Sequence, residues 1–422
     1  MPKECPSVFT GNKPYILAFV GENANGILDW WTRHILEAFE PFGFGHCLID
    51  MVHPDWRTTL SNALVTGKPE FCFSFQGIGM NLQIEGQNYW SQNQIPFFSY
   101  LGDNPYHAPT LHAAQGPGLQ LLYSCLDFLQ TYRAMGGPLY ATTLRYGYPA
   151  NPQADATPWR ARGHRVVYVK TGVDPARLRA EWRHLPKSIA DILEHCTQAT
   201  LNGATTTISA TCAAAFEARD LHYGVHDEFF LSVCSKVDFY VRAVRAERMV
   251  RGLMKQNATI IGDWSHLDQA GARARFVPPV TAGTLDALYA DAQLVVNTSP
   301  SVRFGMHERI MAGLFAKAAV VSDTTPFLTD LLAGCPSFMG VGLDEAGFEA
   351  QLDETLSGAL ADPDMPAKVA VSADFARRAF GLDKFAAALL EQVGLEQYRR
   401  QVEGWWSFPP RTHARQLPVL PG

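Results

Sequence analysis

The chain has 422 residues, of which 47% are apolar and 18% are charged, and its formal net charge is −6. This length is enough for two domains, because single domains usually have roughly 100–200 residues. The acidic balance and the lack of a basic stripe argue against a nucleic-acid-binding face. No stretch approaches the run of about 18 apolar residues that a membrane-spanning helix needs. We therefore expect a two-domain α/β protein without a transmembrane segment.

The cysteines and histidines give no sign of a metal centre. The eight cysteines are scattered and include no Cys-x-x-Cys pair, which favours reduced thiols in a cytoplasmic protein over disulfides or zinc. His222 and His226 form a His-x-x-x-His pair that lacks an accompanying Glu, so solvated or capping histidines are favoured. Residues 12–14, Asn-Lys-Pro, interrupt the apolar stretch that a signal peptide would need. We expect a cytoplasmic protein with no permanently bound metal or cofactor.

Strands and helices alternate through the first 150 residues. The apolar run Tyr15–Val20 predicts a first parallel strand, and further strands are predicted at 46–51, 70–75, 96–100, 121–124 and 140–144. This rhythm indicates a doubly wound parallel sheet. The loop Gly21, Glu22, Asn23 after the first strand lacks the third glycine of a GxGxxG fingerprint and the Lys-Ser/Thr of a P-loop.

The sequence LGDNPYH follows the fourth predicted strand and is a candidate for chemistry, since ligands bind beyond the carboxyl ends of parallel strands. Asp103 or His107 in this loop could take a proton from an acceptor hydroxyl. The alternative is structural, because Asp-Asn-Pro is also a favourable turn sequence.

The second half begins after a Pro-, Gly- and Ala-rich linker at 146–163. A strand is predicted at 165–169 and ends at Lys170. Residues 186–255 have a helical pattern without a convincing strand, which predicts a helical insertion; its small, polar segment 202–215 is expected to be a loop or a loosely formed helix. Strands return at 258–261 and 275–277.

Residues 290–323 carry the most information about function. A buried strand at 292–296, a polar turn at 297–305, an amphipathic helix at 306–316 and a strand at 318–321 predict a parallel crossover. His307 and Glu308 fall in the first helical turn, whose free amides accept a phosphate, and Gly305 permits close backbone approach. Glu308 could then accept the hydroxyls of a ribose. The alternative is that Glu308 only complements the helix dipole and His307 only caps the turn.

The run GMHER, with the later Ala312 and Asp323, resembles the donor-binding motif of GT-B glycosyltransferases, particularly the CgeB-like (spore-maturation-protein-like) group. Lys317 stands where that group usually has Gly. The resemblance implies two facing Rossmann-like domains, with a nucleotide-diphosphate sugar (UDP-, GDP- or dTDP-linked) on the second and a protein or glycan acceptor on the first. It implies a glycosyltransferase of the hexosyltransferase type, acting in the interdomain cleft.

The resemblance also assigns site residues. It implies that donor contacts come from Lys170, Gly262, Asp263, Trp264, Val277, Ser299, Arg303, Gly305, Met306, His307 and Glu308. Acceptor contacts would come from Gly21, Glu22 and Asn23, and the base would be Asp103 or His107. A solvated lysine is the alternative for Lys170. The single Asp-x-Asp, at 362–364, reads as a Pro-containing turn, so we favour a metal-independent mechanism.

The expected domains are residues 1–150 for the acceptor, residues 164–384 for the donor with the insertion 186–255, and a helix at 385–408 that returns to the first domain. Trp405, Trp406 and Phe408 would seal that last contact. A nucleotide-sugar epimerase or hydrolase and a non-catalytic nucleotide-sugar-binding protein are the alternatives. A nicotinamide dehydrogenase is disfavoured, because no full dinucleotide fingerprint exists. Inversion and retention of the sugar linkage are both compatible with these residues, as are a monomer and a homo-oligomer.

Overall fold

A computed structural model describes residues 13–23, 26–113, 116–203, 206–299, 301–343 and 346–402. Two six-stranded sheets dominate these ranges, and every strand pair within them is parallel. The predicted α/β class, with two Rossmann-like domains and a helical insertion in the second, is confirmed. Cys5 and the aromatic residues Trp405, Trp406 and Phe408 lie outside the described residues.

The first sheet is built from residues 15–143. Its elements, with a small hairpin formed by β4 and β5, are β1 (Tyr15–Val20), α1 (Ile27–Glu37), β2 (Gly45–Asp50), α2 (Trp56–Thr66), β3 (Phe71–Phe75), β4 (Gln83–Ile84), β5 (Gln87–Asn88), α3 (Tyr89–Gln92), β6 (Phe97–Leu101), β7 (Leu119–Tyr123), α4 (Leu126–Ala134) and β8 (Tyr140–Thr143). The spatial order is β2-β1-β3-β6-β7-β8. The strands are apolar because most are covered by helices on both faces.

The second sheet takes its strands from residues 164–341. Its elements are β9 (His164–Val169), α5 (Pro175–Glu181), α6 (Lys187–Leu201), α7 (Ile208–Glu217), α8 (Glu228–Leu253), β10 (Ala258–Ile261), β11 (Arg275–Val277), α9 (Ala282–Ala290), β12 (Ala292–Asn297), α10 (Glu308–Phe315), β13 (Ala319–Asp323), α11 (Pro326–Leu331), β14 (Phe338–Val341), α12 (Phe348–Ala361), α13 (Met365–Phe380) and α14 (Leu382–Val402). The spatial order is β11-β10-β9-β12-β13-β14.

Each sheet has a switch point, where the chain reverses the direction in which it adds strands. In the first sheet the switch point lies between β1 and β3, and in the second it lies between β9 and β12. The loops after such strands run to opposite faces of the sheet and leave a crevice at the carboxyl ends. The loop that begins with Gly21 therefore borders one crevice, and the loop that begins with Lys170 borders the other.

The two domains share one apolar core. Trp31 and Tyr148 belong to the same buried cluster as Ile310 and Phe315 of α10. The final helix, α14, lies against the first sheet, where the ring of Phe385 packs 6.3 Å from that of Phe73. Buried contacts of this kind hold the two sheets in a fixed relation, because the apolar surface would be exposed if they separated.

The helical insertion connects both domains. The carboxyl half of the 26-residue helix α8 is buried in the core of the second domain, and its amino half packs with α6 and α7 in a separate core. The segment that we expected to be loop or loosely formed helix contains α7, because Ile208, Cys212, Ala215 and Phe216 give it a buried face. At its amino half α8 also meets the short turn Pro105–His107 of the first domain.

Candidate functional site

A cavity of about 290 Å³ lies between the domains, at the switch point of the second sheet. This volume is near the lower end of the range found for small-molecule sites. The first domain contributes Ile27 and Trp31 of α1, and the linker contributes Tyr148. The second domain contributes several apolar residues and four polar or charged residues, which are Lys170, Thr171, Glu308 and Arg309. The cavity therefore combines an apolar surface with two cations and a carboxylate.

Helix α10 begins at this cavity. His307 is the residue immediately before the helix, and the backbone N–H of Arg309 donates to its Nδ1 over 3.3 Å. Burial, together with the positive charges of Arg309, Lys170 and Arg242, holds the pKa of His307 well below its usual range. A neutral imidazole cannot form an ion pair, so its 3.1 Å approach to Glu308 Oε2 is not a salt bridge. The helix begins two residues later than predicted, and His307 caps it.

Lys170 is not the solvated lysine of the alternative interpretation. Burial, followed by repulsion from Arg309 and Arg242, lowers its pKa to about 7, although Glu308 and Asp323 act in the opposite sense. The side chain therefore gains or loses its proton near neutral pH. An anion placed beside it would favour the charged form.

Arg309 has a fixed position beside Lys170. Its Nη1 donates to Oδ1 of Asn297 over 3.3 Å. The Asn297 side chain is fully buried and donates in turn to Ser322 Oγ over 2.9 Å. A guanidinium held in this way keeps other N–H groups available for a phosphate or carboxylate, for which its planar geometry is suited.

The loop after β10 packs against the backbone of Lys170. The indole Nε1 of Trp264 donates to the Lys170 carbonyl oxygen over 2.7 Å, and a Cβ on Gly262 would lie 2.2 Å from the same oxygen. Gly262 also has φ +141°, which disfavours any other residue. Of the three residues expected near a diphosphate here, Gly262 lines the cavity, Trp264 is buried beneath the loop, and Asp263 is exposed and accepts from Ser265 N.

Three further residues predicted to meet the donor lie in the framework of the site. The carbonyl of Val277 accepts from Gly262 N over 2.9 Å, and the N–H of Ser299 donates to Asp323 over 2.7 Å. Met306 packs against the shared core. The neighbours Pro279 and Val280, rather than Val277, line the cavity.

The close backbone approach expected at Gly305 is made to the first domain. A Cβ on Gly305 would lie 2.8 Å from the Cβ of Cys125, at the start of α4. The carboxylate of Asp127 in the first turn of α4 accepts from Arg303 N over 3.0 Å and from Phe304 N over 2.8 Å. The loop after β12 thus docks on the first domain, and the side chain of Arg303 is exposed.

The two residues predicted as bases lie in different surroundings. Asp103 is exposed and accepts from Gln76 Nε2 over 2.7 Å. Burial, together with the negative charges of Glu308 and Asp103, raises the pKa of the Tyr146 hydroxyl, so both carboxylates lie near that tyrosine. His107 instead contacts α8, with Nε2 2.7 Å from Asp238 Oδ2 and Nδ1 2.9 Å from Ser235 Oγ. Since both ring nitrogens have partners, Asp103 is the better candidate for the base.

The loop after β1 has its own internal partners. Asn23 Oδ1 accepts from Leu28 N over 3.1 Å, and its amide nitrogen donates to Gly21 O and to Asp29 Oδ1. Asn23 therefore caps the first turn of α1. Glu22 is exposed, and residues 24 and 25 lie outside the described residues.

Sequence reasoning missed Trp31, Tyr148 and Arg242 as residues at or beside the site. Arg309 stood in the quoted motif, so its position could have been weighed as a ligand. No local pattern marks Arg242, which comes from the middle of α8 in the insertion. Its charge nevertheless acts on both Lys170 and His307.

The described part of the chain contains neither a cluster of metal ligands nor a helix that could cross a membrane. No group of three His, Cys, Asp or Glu side chains there is arranged to hold a metal ion. No described helix combines the length and the apolar character needed to cross a bilayer.

No family model and no curated protein sequence matches this chain. Among solved structures it is similar to sucrose-phosphate synthase from Thermosynechococcus elongatus, with 10% identity, a TM-score of 0.49, and coverage of 93% of this chain and 100% of that one. It is also similar to Anabaena HepE in complex with UDP and glucose, with 11% identity, a TM-score of 0.46, and coverage of 90% and 99%. A third is WaaG, a glycosyltransferase involved in lipopolysaccharide biosynthesis, with 11% identity, a TM-score of 0.41, and coverage of 90% and 99%.

Proposed function

We propose that this protein is a glycosyltransferase that moves a sugar from a nucleotide-diphosphate sugar to an acceptor hydroxyl in the interdomain cleft. The observation that carries the proposal is the cavity at the second switch point, where Lys170, Arg309 and Glu308 meet an apolar wall. A phosphate requires cations, a ribose requires an acceptor for its hydroxyls, and a base requires an apolar surface. One cavity offers all three.

The donor would lie across the cavity with its parts matched to these side chains. Glu308, whose side chain is 34% exposed, would accept from the ribose hydroxyls. The base would lie against Pro279 and Val280, and the diphosphate would lie beside Lys170 and Arg309. When the bond between sugar and diphosphate breaks, negative charge grows on the leaving diphosphate. Cations already fixed in place stabilise that charge without reorganisation, which lowers the barrier.

The acceptor would approach from the first domain. An inverting reaction needs a base that takes the acceptor proton as the new glycosidic bond forms. Asp103 serves that role in this proposal. It is an exposed residue of the first domain, and its negative charge contributes to the raised pKa of Tyr146. Gly21 and Glu22 would border the acceptor. A hexose as the transferred sugar, a protein or glycan acceptor, a metal-independent reaction and membership of the CgeB-like group complete the proposal and rest on the sequence resemblance.

A thermal-shift screen of UDP, GDP, dTDP and their hexose conjugates tests the donor site. We expect at least one compound to raise the melting temperature of the wild type, since ligands that bind only the folded state stabilise it. The shift should be lost in Glu308→Ala, because the ribose contacts are removed. Incubation of the stabilising conjugate alone then separates the classes. Release of free sugar or an epimer without acceptor would favour the epimerase or hydrolase, whereas an intact donor until an acceptor is added supports transfer.

A further inference from the structure

Two tyrosine hydroxyls at the candidate donor site have no hydrogen-bond partner. Tyr148 of the linker and Tyr289 near the end of α9 both line the cavity, and these residues are 6% and 3% exposed. Within the described part of the chain no group forms a hydrogen bond with either hydroxyl. The hydroxyls of the buried residues Tyr15, Tyr100 and Tyr168, by contrast, each have an oxygen partner at 2.7 to 2.9 Å. Because a buried hydroxyl without a partner costs free energy, two such groups at one cavity indicate that a ligand completes them.

Both hydroxyl oxygens are open to space and are not sealed in the core. A sealed hydroxyl oxygen without a partner does occur in this protein, at Tyr89. Among the described residues the oxygens of Tyr148 and Tyr289 are not sealed in this way, so each keeps accessible surface although its residue is buried. The cavity is the space that both residues line. Water can complete the two hydroxyls in the free protein, and the polar groups of a ligand can replace that water.

Packing fixes the position of Tyr148. The centre of its ring lies 5.5 Å from that of Trp31 on α1 and 5.4 Å from that of Phe315 on α10. Its backbone N–H donates to the Phe380 carbonyl over 2.8 Å. Aromatic rings from both domains therefore hold this phenol in one orientation, because a closely packed ring cannot turn without displacing its neighbours.

Tyr289 lies on the wall that the base would contact. Pro279 and Val280, against which the base lies in the proposed function, come just before α9. Leu285 lies one turn of α9 before Tyr289 and also lines the cavity, so one face of this helix borders it. The Tyr289 hydroxyl is therefore the polar group of an otherwise apolar wall.

The size of the cavity favours a base with a single ring. Its volume is about 290 Å³, which is near the lower end of the range for small-molecule sites, and the ribose must share it. Uracil and thymine carry two carbonyl oxygens with an N–H between them along one edge. These groups suit two phenol hydroxyls, each of which can donate or accept. A purine would add a second ring to the same volume, between walls that are already packed.

We propose that the hydroxyls of Tyr148 and Tyr289 bind the polar edge of the donor's base, and that this base is a pyrimidine. This inference rests on the proposed function and deepens it, since it names the class of donor. The donor is then a uridine- or thymidine-diphosphate sugar. The two tyrosines determine specificity, while Lys170 and Arg309 bind the diphosphate.

Calorimetric titration of UDP, dTDP and GDP into the wild type tests the class of the base. We expect UDP or dTDP to bind more tightly than GDP by about tenfold or more, because the second ring of guanine does not fit between the packed walls. Equal or tighter binding of GDP would overturn the assignment of a pyrimidine.

Tyr148→Phe and Tyr289→Phe test the hydroxyls, because each variant keeps the ring and loses one oxygen. Each should bind the preferred pyrimidine diphosphate about three- to tenfold more weakly, as expected for the loss of one hydrogen bond. Pyrophosphate, which has the phosphates and no base, is titrated in parallel and should bind to the wild type and both variants equally. A purely structural role of the tyrosines would weaken the binding of both ligands.

The melting temperatures of the free proteins provide a second readout. Neither hydroxyl has a protein partner to lose, so both phenylalanine variants should melt at or above the wild-type temperature. Tyr15→Phe is the matched control, because the Tyr15 hydroxyl donates to the carbonyls of Ala63 and Gly67 at the amino end of β1. It should melt at a lower temperature than the wild type and bind the nucleotide as the wild type does.

The outcomes separate this inference from the proposed function. If the wild type binds no nucleoside diphosphate, the proposed function fails and the inference with it. If the wild type binds one and both phenylalanine variants bind it equally well, the inference alone is wrong. A matching loss of pyrophosphate binding, or a melting temperature as low as that of Tyr15→Phe, would show that Tyr148 and Tyr289 are structural residues and would also overturn the inference.

Discussion

In both sheets of this protein the switch point lies beside the first strand of the sheet, but the surroundings of the two switch points differ. In the first sheet, the loop after β1 is occupied by its own contacts: Asn23 caps α1, and a Cβ on Gly21 would meet Ile78 at 3.4 Å. In the second sheet, the corresponding region presents Lys170, Arg309 and Glu308 to a cavity. Parallel sheets provide a crevice at every switch point. The side chains at its edge decide whether that crevice can hold an anion.

The difference also extends to what the first domain contributes. Its helix α1 faces the cavity with Ile27 and Trp31, which are apolar, while the cations Lys170 and Arg309 come from the second domain. The first domain therefore contributes apolar side chains, and no charged ones among its described residues, to the lining of the cavity. Asp103, the proposed base, is exposed and lies beyond the end of β6. Each substitution described below changes a residue at one switch point and leaves the other switch point intact.

The largest effect is expected for Gly262→Ala at the second switch point. The added Cβ would lie 2.2 Å from the Lys170 carbonyl oxygen, at a residue with φ +141°. Both the backbone strain and the clash must be relieved by moving the Lys170 loop, so we expect the free energy of unfolding to fall by about 3 kcal/mol. Urea denaturation and nucleotide titration measure this. Gly283→Ala on α9 is the control, because nothing lies within 4 Å of its Cβ.

An intermediate effect is expected from pH. The Lys170 side chain has a pKa of about 7 in the free protein, and a bound diphosphate would raise it. Binding then takes up a proton above pH 7, so affinity should fall by up to about tenfold per pH unit between pH 7.5 and 9.5. The Lys170→Arg variant keeps its charge throughout this range, and calorimetric titrations of it should give a flat profile. A slope of equal size in Lys170→Arg would contradict the role of Lys170.

The smallest effect is expected at the first switch point. Asn23→Ala removes the side-chain acceptor for Leu28 N, which lies at the start of α1. Loss of a cap of this kind costs about 1 kcal/mol of folding stability. Nucleotide affinity should remain that of the wild type, because the proposed donor site lies at the other switch point. A large loss of nucleotide affinity together with unchanged stability would indicate that the nucleotide binds at the first switch point instead of the second.

The sequence predicted the strands and the strand–helix–strand unit at 292–323 well, because both have local sequence signals. Buried parallel strands appear as continuous apolar runs, as in Tyr15–Val20 and 258–261, and a helix with one apolar face repeats every three to four residues. For the segment that contains α7 the sequence predicted either a loop or a loosely formed helix, because small residues such as those at 213–215 give little apolar periodicity. Its packing against α6 and α8 stabilises it.

The remaining features depend on contacts between distant parts of the chain. His107 and Asp238 are 131 residues apart in sequence, and no spacing rule links them. Gly305 was expected near a ligand because small residues permit close approach, but the sequence cannot show that Cys125 is what approaches. The depressed pKa of Lys170 follows from burial and from Arg242 on the insertion, neither of which is visible before the chain folds.

The central claim is that the second switch point binds the nucleotide sugar and the first does not. Calorimetric titration of the stabilising nucleotide sugar into the wild type, Glu308→Ala and Glu22→Ala tests this most directly, because Glu308 begins the helix that follows β12 and Glu22 lies in the loop that follows β1. We predict that Glu308→Ala weakens binding about tenfold to a hundredfold, as expected for the loss of hydrogen bonds to a charged group, and that Glu22→Ala binds as the wild type does. Normal binding by Glu308→Ala, or a loss confined to Glu22→Ala, would contradict the account.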